Sequence, residues 1–290
     1  MIFVKKNAPY LALCSGILAL SLSSLFIRWA NAPGTVTSFY RMLIAGFVIT
    51  PFFFRHINSG VKFSRKLIAL PLLAGLFTAL DHAVWSTALG MTKVANATLL
   101  NNIAPLWVAL FAVFILRERL ARMFWVGLVF TLIGAGVVLG NDLLLNPHLS
   151  SGDILALVSS LFYAGYFLVT QRARQNLDTL TYIYLVIVTC SVILLGFNLV
   201  LGKPLTGYPP QTYLAFLGAA LISQIIGYFS VTYALGHLPA AVVSPTMIAQ
   251  PVLTALLAIP LIGETLLAGQ VLGGVMVLAG IYLVNRNQPG

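Results

Sequence analysis

A carboxylic acid, an imidazole and an indole stand close together in an otherwise apolar run of the chain. They are Asp81, His82 and Trp85, within residues 67–90. Asp81 and Trp85 are four residues apart, so a helix places them on one face. An acid beside an aromatic ring suits an ammonium group, and Asp81 and His82 are also candidates for carrying a proton. The alternative is structural: Asp81 and His82 satisfy each other or pair with Arg41.

Two prolines inside apolar runs mark further polar candidates. Asn101 and Asn102 precede Pro105, and Gln250 directly precedes Pro251. Proline removes a backbone N–H and frees a carbonyl one turn earlier, so each helix should bend and leave an acceptor. Such an acceptor is useful only where it lines water or protein. A kink that merely aids packing is the alternative.

The composition excludes a water-soluble protein. Of the 290 residues, 60% are hydrophobic and 8% are charged, with a mean hydropathy of +0.98, whereas soluble domains carry about 25% charged residues. This excludes a soluble enzyme, a disordered chain and a nucleic-acid-binding protein. The two cysteines, Cys14 and Cys190, lie in apolar runs without metal-ligand spacing. We therefore expect the lipid bilayer as the surroundings, with no metal, no cofactor and no nucleic-acid partner.

Ten apolar runs are long enough to cross a bilayer as helices, since a span needs about 20 residues. Charged residues, glycine, proline or asparagine separate these runs. The first run is longer than the core of a secretory signal peptide, which has about 7–15 residues, so we expect it to be retained. The predicted helices are 9–30, 35–54, 67–90, 94–116, 120–140, 152–171, 179–200, 211–235, 240–262 and 267–285.

Lysine and arginine are distributed unevenly between the two sets of alternate loops. Of the 16 basic residues, 12 fall on the side that holds both chain ends and 3 on the other. Because cytoplasmic loops carry this excess, we expect both termini in the cytoplasm and the protein in the inner (plasma) membrane. The last basic residue, Arg41, lies inside the second run, where an isolated arginine is costly. Three alternative roles are open for Arg41: to neutralise a carboxylate of a bound molecule, to pair with Asp81, or to extend to the membrane interface.

The chain contains two copies of one five-helix unit. A shift of 146 residues superposes 88–138 on 234–284 without a gap and aligns a proline, a glutamate and three glycines. We assign residues 1–146 and 147–290 to the two copies. Because five is odd, the second copy must be inverted in the membrane relative to the first. Inverted repeats are typical of secondary transporters, in which they open a central site to either side in turn.

The repeat also relates candidate residues of the two halves. His82 aligns with Tyr228, so a pseudo-two-fold axis would set them opposite each other, with Gln224 one turn before Tyr228. Asn101 aligns with Met247. A helix contact without a binding role is the alternative for Tyr228. The candidate binding residues are Asp81, His82, Trp85, Asn101, Asn102, Tyr163, Gln224, Tyr228, Met247 and Gln250.

The repeated segments resemble the signature of the EamA-type transporters of the drug/metabolite transporter superfamily. The resemblance rests on ALGMTKVANA at 88–97, Ala104-Pro105 and LRERL at 116–120, which recur as ALGHLPAA at 234–241, Gln250-Pro251 and IGETL at 262–266. It implies ten helices in two inverted halves, a central cavity lined by the first four helices of each half, and a scaffold formed by the fifth and tenth. Tyr163 stands at an aromatic position of the family, where its ring would face planar or cationic groups.

The resemblance implies transport rather than enzymatic catalysis. Family members export amino acids, other metabolites or toxic compounds, and some import. We expect a secondary transporter that exports small metabolites, such as amino acids or aromatic or cationic compounds, by alternating access, as a monomer or weak homodimer. An importer or exchanger of the same fold is the alternative. A polytopic membrane enzyme is a weaker alternative, because the chain lacks an HExxH motif. The chain also lacks a GxxxxGK[ST] phosphate loop for ATP, so a gradient must drive the transport.

Overall fold

The computed structural model describes residues 2–59, 67–92, 94–139, 150–262 and 267–286. Within these residues it contains ten helices that are long and apolar enough to cross a membrane, and they confirm the predicted all-α fold. The basic residues Lys62, Arg65, Lys66 and Lys93 and the chain end 287–290 lie outside the described residues. The spans, numbered 1 to 10 in chain order, are Asn7–Ala30, Gly34–Asn58, Ala69–Leu89, Asn96–Phe114, Arg122–Leu139, Ser151–Arg174, Thr179–Val200, Pro210–Leu235, Ala240–Leu261 and Ala268–Arg286.

The outer surface of the helix bundle is apolar, as the sequence composition requires. Phe47, Phe114 and Val200 are 71%, 76% and 86% exposed in the isolated chain. Exposing such a surface to water is unfavourable, because apolar groups gain free energy when they are buried. In a bilayer, lipid chains cover the surface instead. The exposed leucine, valine and phenylalanine side chains of the bundle therefore face lipid.

Four of the spans depart from a regular α-helix. Span 4 is broken at 102–103, just before Pro105, and span 9 is broken at 247–248, just after Pro245. The two breaks nearly coincide under the 146-residue shift. Span 1 is interrupted at Leu22, and span 8 contains a ten-residue π-helical segment. Some of the helices that form these four spans extend a few residues beyond the bounds of the span. They are Ile2–Ser21 and Ser23–Ala30 in span 1, Val94–Asn101 and Ala104–Phe114 in span 4, Pro210–Gly218, the π-helix Ala219–Tyr228 and Phe229–Leu235 in span 8, and Ala240–Thr246 and Ala249–Ile262 in span 9.

Spans 5 and 10 pack against each other in antiparallel orientation, glycine against glycine. A Cβ atom on Gly127 would lie 2.7 Å from the Gly280 carbonyl oxygen, and one on Gly134 would lie 2.7 Å from the Gly273 carbonyl oxygen. The 146-residue shift exchanges Gly127 with Gly273 and Gly134 with Gly280, so each contact is the image of the other. A two-fold axis between the inverted halves produces such reciprocal contacts.

The other large helix contacts agree with the same two-fold relation between the halves. Span 2 packs on span 7, its own counterpart in the second half. Span 3 packs on span 6, and the equivalent pair, span 8 on span 1, is also in contact. The first half and the second half are therefore in contact through several pairs of spans that the repeat relates.

Candidate functional site

Asp81 is the acid at the centre of a buried polar cluster. It lies on span 3 and is 8% exposed. Asn101, the last residue before the break in span 4, donates through Nδ2 to Asp81 Oδ1 at 3.0 Å and to Ser159 Oγ at 2.8 Å. Because Ser159 lies on span 6, one amide joins three spans from both halves. The break in span 4 thus places the Asn101 side chain beside the Asp81 carboxylate.

Arg41 is the cation of the same region, and His82 is its partner. The Arg41 side chain lies on span 2 and is 5% exposed. It approaches His82 Nε2 with its Nη2 at 2.6 Å and donates from Nη1 to Ser23 Oγ at 3.3 Å. A guanidinium has no acceptor, so His82 Nε2 must accept, and the imidazole is neutral with its proton on Nδ1. His82 therefore orients Arg41 without neutralising its charge.

A row of tyrosines lies beside the two charges. The Arg41 Cζ atom is 5.6 Å from the centre of the Tyr228 ring, within the range of a cation–π interaction. The Tyr228 and Tyr166 rings are 6.0 Å apart, and Tyr166 and Tyr163 are stacked at 6.5 Å. The row joins span 8 to span 6, so the second half contributes aromatic faces next to the charged groups of the first half.

Asp81 and Arg41 attract each other without forming an ion pair. Arg41 lies near Asp81, but the two side chains form no ion pair within the described part of the chain, whereas His56 Nε2 and Asp178 Oδ1 are 3.2 Å apart. Two buried opposite charges that do not meet are costly, because neither gains the direct contact that offsets its desolvation. The arrangement leaves a separated positive and negative group at membrane depth.

Gln224 adds a buried amide from the π-helical segment of span 8. It is 2% exposed, and its Oε1 atom has no hydrogen-bond partner in the structure. π-Helical insertions occur often at functional sites, and this one ends at Tyr228. The sequence offers no signal for the π-helix, because its residues are as apolar as those of a regular span.

Four candidate residues form no hydrogen bond with Asp81 or Arg41 within the part of the chain that the structure describes. Asn102 donates back to the Thr98 carbonyl of its own helix, and Met247 packs in the apolar core. Trp85 is partly buried one turn beyond Asp81. Gln250 donates to the Leu20 carbonyl at 3.1 Å, just before the interruption in span 1.

Arg41, Ser23 and Ser159 complete the cluster, and only Arg41 could have been found from sequence. An arginine inside an apolar run is conspicuous, and the sequence left its role open among three alternatives. Ser23 and Ser159 resemble the many serines that bond back to their own helices. Their partners lie 18 and 58 residues away along the chain, and no local pattern encodes such contacts.

Two cavities of the structure are lined by residues other than those of this cluster. One of about 380 Å³ opens where spans 4 and 6 end, and Phe111, Leu168 and Arg172 contribute to its wall. Another of about 210 Å³ lies between spans 2 and 7, beside Met42 and Ser191. Because Asp81, His82 and Gln224 are each at most 8% exposed, this conformation holds the polar cluster closed.

Known proteins match this chain over nearly its whole length. The model of the EamA-like transporter family matches residues 7–140 and 150–286. An uncharacterized transporter of Archaeoglobus fulgidus is 25% identical over 265 residues, 91% of each chain. The pseudopaline exporter CntI of Pseudomonas aeruginosa is 25% identical over 293 residues, 95% of this chain and 98% of its own.

Two further comparisons are narrower in what they show. The S-adenosylmethionine uptake transporter of Rickettsia felis is 31% identical over 102 residues, which is 35% of this chain and 34% of its own. A solved crystal structure superposes with a TM-score of 0.80 over 97% of both chains at 18% identity. At that identity the crystal structure shows a shared fold.

Proposed function

This chain belongs to the EamA-like transporter family, and we propose that it carries small metabolites through the cluster around Asp81 and Arg41. The observation that carries the proposal is this buried acid and cation of the first half, whose cluster contacts Ser159 and Tyr228 of the inverted second half. Buried charges at membrane depth are expensive and mark transport paths in membrane proteins. An apolar core would stabilise a purely structural bundle better.

Alternating access is the proposed mechanism. Spans 1, 4 and 9 are interrupted near the middle of the bundle, and discontinuous helices at the repeat interface bind substrate in secondary transporters. At the interruption of span 1, Gln250 and Thr254 donate to the Leu20 and Ser21 carbonyls. Side chains of the opposite half thus hold the broken helix, and rocking of the halves would exchange these partners.

Amino acids and aromatic or cationic compounds are the proposed substrates. Asp81 offers a carboxylate oxygen to an ammonium group, and Asn101 orients that carboxylate. The row of Tyr163, Tyr166 and Tyr228 offers faces on which a planar ring stacks. These groups act together because all of them border the same closed cluster.

Export is the proposed direction. The exporter of pseudopaline aligns with nearly the full length of this chain, whereas the uptake transporter aligns with about a third of it. Import or exchange remains the second candidate, favoured by the uptake transporter alone. Radiolabel accumulation in inside-out vesicles, compared with right-side-out vesicles, distinguishes the two directions.

Proton coupling is proposed for Asp81 and His82. In the closed conformation His82 Nε2 accepts from Arg41, so this nitrogen takes a proton only after Arg41 withdraws. Asp81 has one amide donor, and its second oxygen is available to a proton or an ammonium group. Acidification of the bath during substrate flux, followed with a pH dye in proteoliposomes, tests this coupling.

The proposed setting is the inner membrane, with both termini in the cytoplasm and a monomer or weak homodimer as the working unit. The charge distribution between alternate loops supports the orientation. Single cysteines placed at residues 2–6 and 287–290 should both be labelled from the cytoplasmic side by an impermeant reagent. Labelling from opposite sides would contradict the inverted architecture.

The transport proposal is tested by ligand screening of the purified full-length chain. Binding raises the unfolding temperature by mass action, so amino acids, polyamines and aromatic amines are compared for thermal stabilisation. We expect stabilisation by compounds with an ammonium group, and its loss in Asp81→Asn. Stabilisation that survives in Asp81→Asn would remove Asp81 from the site.

A further inference from the structure

We infer that Arg41 binds an anionic group of the substrate, a carboxylate above all, so that the cluster recognises molecules carrying both an ammonium and a carboxylate. The inference rests on the proposed function, because it concerns the same cluster. It replaces the structural alternatives for Arg41, a pair with Asp81 or extension to the membrane surface, by a binding role.

The first argument is the charge balance around Arg41. Its side-chain partners are the neutral His82 imidazole and the Ser23 hydroxyl. Both accept a hydrogen bond and neither carries a negative charge. The Tyr228 ring face adds a cation–π contact at 5.6 Å, which attracts a cation without neutralising it. A guanidinium that is 5% exposed therefore has no negatively charged hydrogen-bond partner among the described residues.

The second argument is the unused donor on the guanidinium. Arg41 Nε is buried and has no hydrogen-bond partner in the structure. Arginine presents its N–H groups in a planar fork that matches the two oxygens of a carboxylate. The Nε–H, which has no acceptor among the described residues, shares one edge of the guanidinium with Nη2, and Nη2 has a second N–H beside the one it donates to His82. This edge is the fork that fits a carboxylate.

The third argument is the separation of Arg41 from Asp81. If the two served structure alone, direct contact would be the cheapest arrangement for two opposite charges at this depth. Each has instead a neutral partner of its own, His82 for Arg41 and Asn101 for Asp81. The partners hold the charges apart, and a bound molecule with both charges would bridge them.

Extension of Arg41 to the interface is excluded by its contacts. The guanidinium bonds inward to spans 1 and 3, through Ser23 and His82. A side chain that reaches for the membrane surface leaves its head group in water, whereas this one is almost completely buried.

The test uses three probes that share one phenyl ring. Phenylalanine carries both charges, phenethylamine only the ammonium, and 3-phenylpropanoate only the carboxylate. Dissociation constants are measured by thermal stabilisation of the full-length chain, for wild type, Arg41→Gln and Arg41→Lys. Glutamine keeps a donor for His82 and removes the charge. Arg172→Gln, at an exposed position at the far end of span 6, is the matched control for loss of one positive charge.

We expect wild type to bind phenylalanine at least about tenfold more tightly than phenethylamine, as a charge-assisted hydrogen bond provides. Arg41→Gln should remove this preference and bind phenethylamine at least as tightly as wild type, because a positive charge near Asp81 is gone. Arg41→Lys should restore part of the preference, and Arg172→Gln should behave as wild type.

Equal binding of phenylalanine and phenethylamine by wild type would overturn the role of Arg41 and leave the proposed function standing. The wild-type comparison needs no variant, so misfolding of Arg41→Gln cannot rescue the inference. Binding of 3-phenylpropanoate alone, unaffected by Asp81→Asn, would support Arg41 and contradict the proposed role of Asp81. Binding of none of the three probes would contradict the aromatic amine class and this inference with it.

Discussion

The contact between spans 5 and 10 and the cluster around Asp81 differ in how far they follow the internal repeat. Positions related by the repeat carry the same residue types at the contact and different residue types in the cluster. At the span contact, Gly127 faces Gly280 and Gly134 faces Gly273, so the two halves use identical residues. In the cluster, the partner of Asp81 under the 146-residue shift is Gly227, and the partner of His82 is Tyr228. One region keeps the symmetry of the repeat and the other has lost it.

The difference separates packing from recognition. Close packing of two helices needs only small residues at matched heights, and a two-fold axis supplies these on both sides. A small asymmetric molecule needs different groups around it, so the residues of the two halves must diverge where they meet it. We therefore expect substitutions in the symmetric region to change stability, and substitutions in the cluster to change transport.

The largest effect is expected for Asp81→Asn. Removing the carboxylate takes away the ammonium partner, so transport in proteoliposomes should fall by about a hundredfold, the loss of one charge-assisted interaction at low dielectric. The folded yield should stay the same, because asparagine still accepts from Asn101. Initial transport rates per reconstituted protein measure the effect.

Asp153→Asn is the matched control for a second buried aspartate. Asp153 caps span 6, accepting from Ser150 and from the Thr92 hydroxyl at 2.6 Å, and belongs to the end of the bundle. We expect lower stability and an unchanged transport rate per folded molecule. Equal transport losses in Asp81→Asn and Asp153→Asn would erase the distinction between binding and structural acids.

Gly127→Ala is expected to have a smaller effect, and on stability rather than on transport. The new Cβ atom would lie 2.7 Å from the Gly280 carbonyl oxygen, and such overpacking costs about 1–3 kcal/mol. The unfolding temperature in detergent should fall while transport per folded molecule is kept.

Gly136→Ala, on the same span, is the control for Gly127→Ala. Its Cβ atom would meet Leu99 at an ordinary 3.9 Å, so the change should be neutral or slightly stabilising through the higher helix propensity of alanine. A similar loss of stability in both variants would contradict the close glycine packing.

The ten spans and their inverted pairing were predictable because hydropathy and chain parity determine them. Span 7 has the predicted bounds, 179–200, since charged or polar residues flank an uninterrupted apolar run. The prediction treated span 4 as one helix over 94–116, and the structure ends its first part at Asn101. A proline signals that some bend occurs, whereas its extent depends on contacts with other spans.

The cluster itself was predictable only in part. Asp81, His82 and Asn101 stand out as polar residues in apolar runs, and in the structure Asp81 and His82 are buried and Asn101 donates to Asp81. The attachment of Arg41 to His82 rather than to Asp81 depends on how spans 2 and 3 pack. That packing is a three-dimensional property, and neither composition nor spacing contains it.

Gln250→Leu should have an intermediate effect at the interruption of span 1, outside both regions. It leaves the Leu20 carbonyl, at the interruption of span 1, without the amide donor at 3.1 Å, and an unsatisfied buried group costs about 1–3 kcal/mol. We expect faster hydrogen exchange in Ser23–Ala30 and reduced stability. Gln175→Leu, at an exposed position, is the control, and unchanged exchange in both variants would argue against a held interruption.

The smallest effect is expected from Asp178, outside the spans. Partial burial raises the pKa of Asp178, but hydrogen bonds from Thr181 and the nearby His56 outweigh it, and the net pKa lies below its usual value. The contribution to stability is thus present above the ordinary aspartate pKa of about 3.9 and lost as the pH falls below it.

Asp178→Asn keeps a good helix cap and removes this titration. Because the side chain is 36% exposed, solvent screening should hold the effect below about 1 kcal/mol. Unfolding midpoints between about pH 3 and 6 should fall less steeply in the variant than in wild type. Parallel curves would contradict the lowered pKa.

A structure of the protein with a bound zwitterionic ligand tests the central claim most directly. The account predicts ligand density between Asp81 and Arg41, with its ammonium group near the carboxylate and its carboxylate on the guanidinium. Density in the cavity lined by Phe111, Leu168 and Arg172 at the end of spans 4 and 6, with the Asp81 cluster still closed, would contradict it.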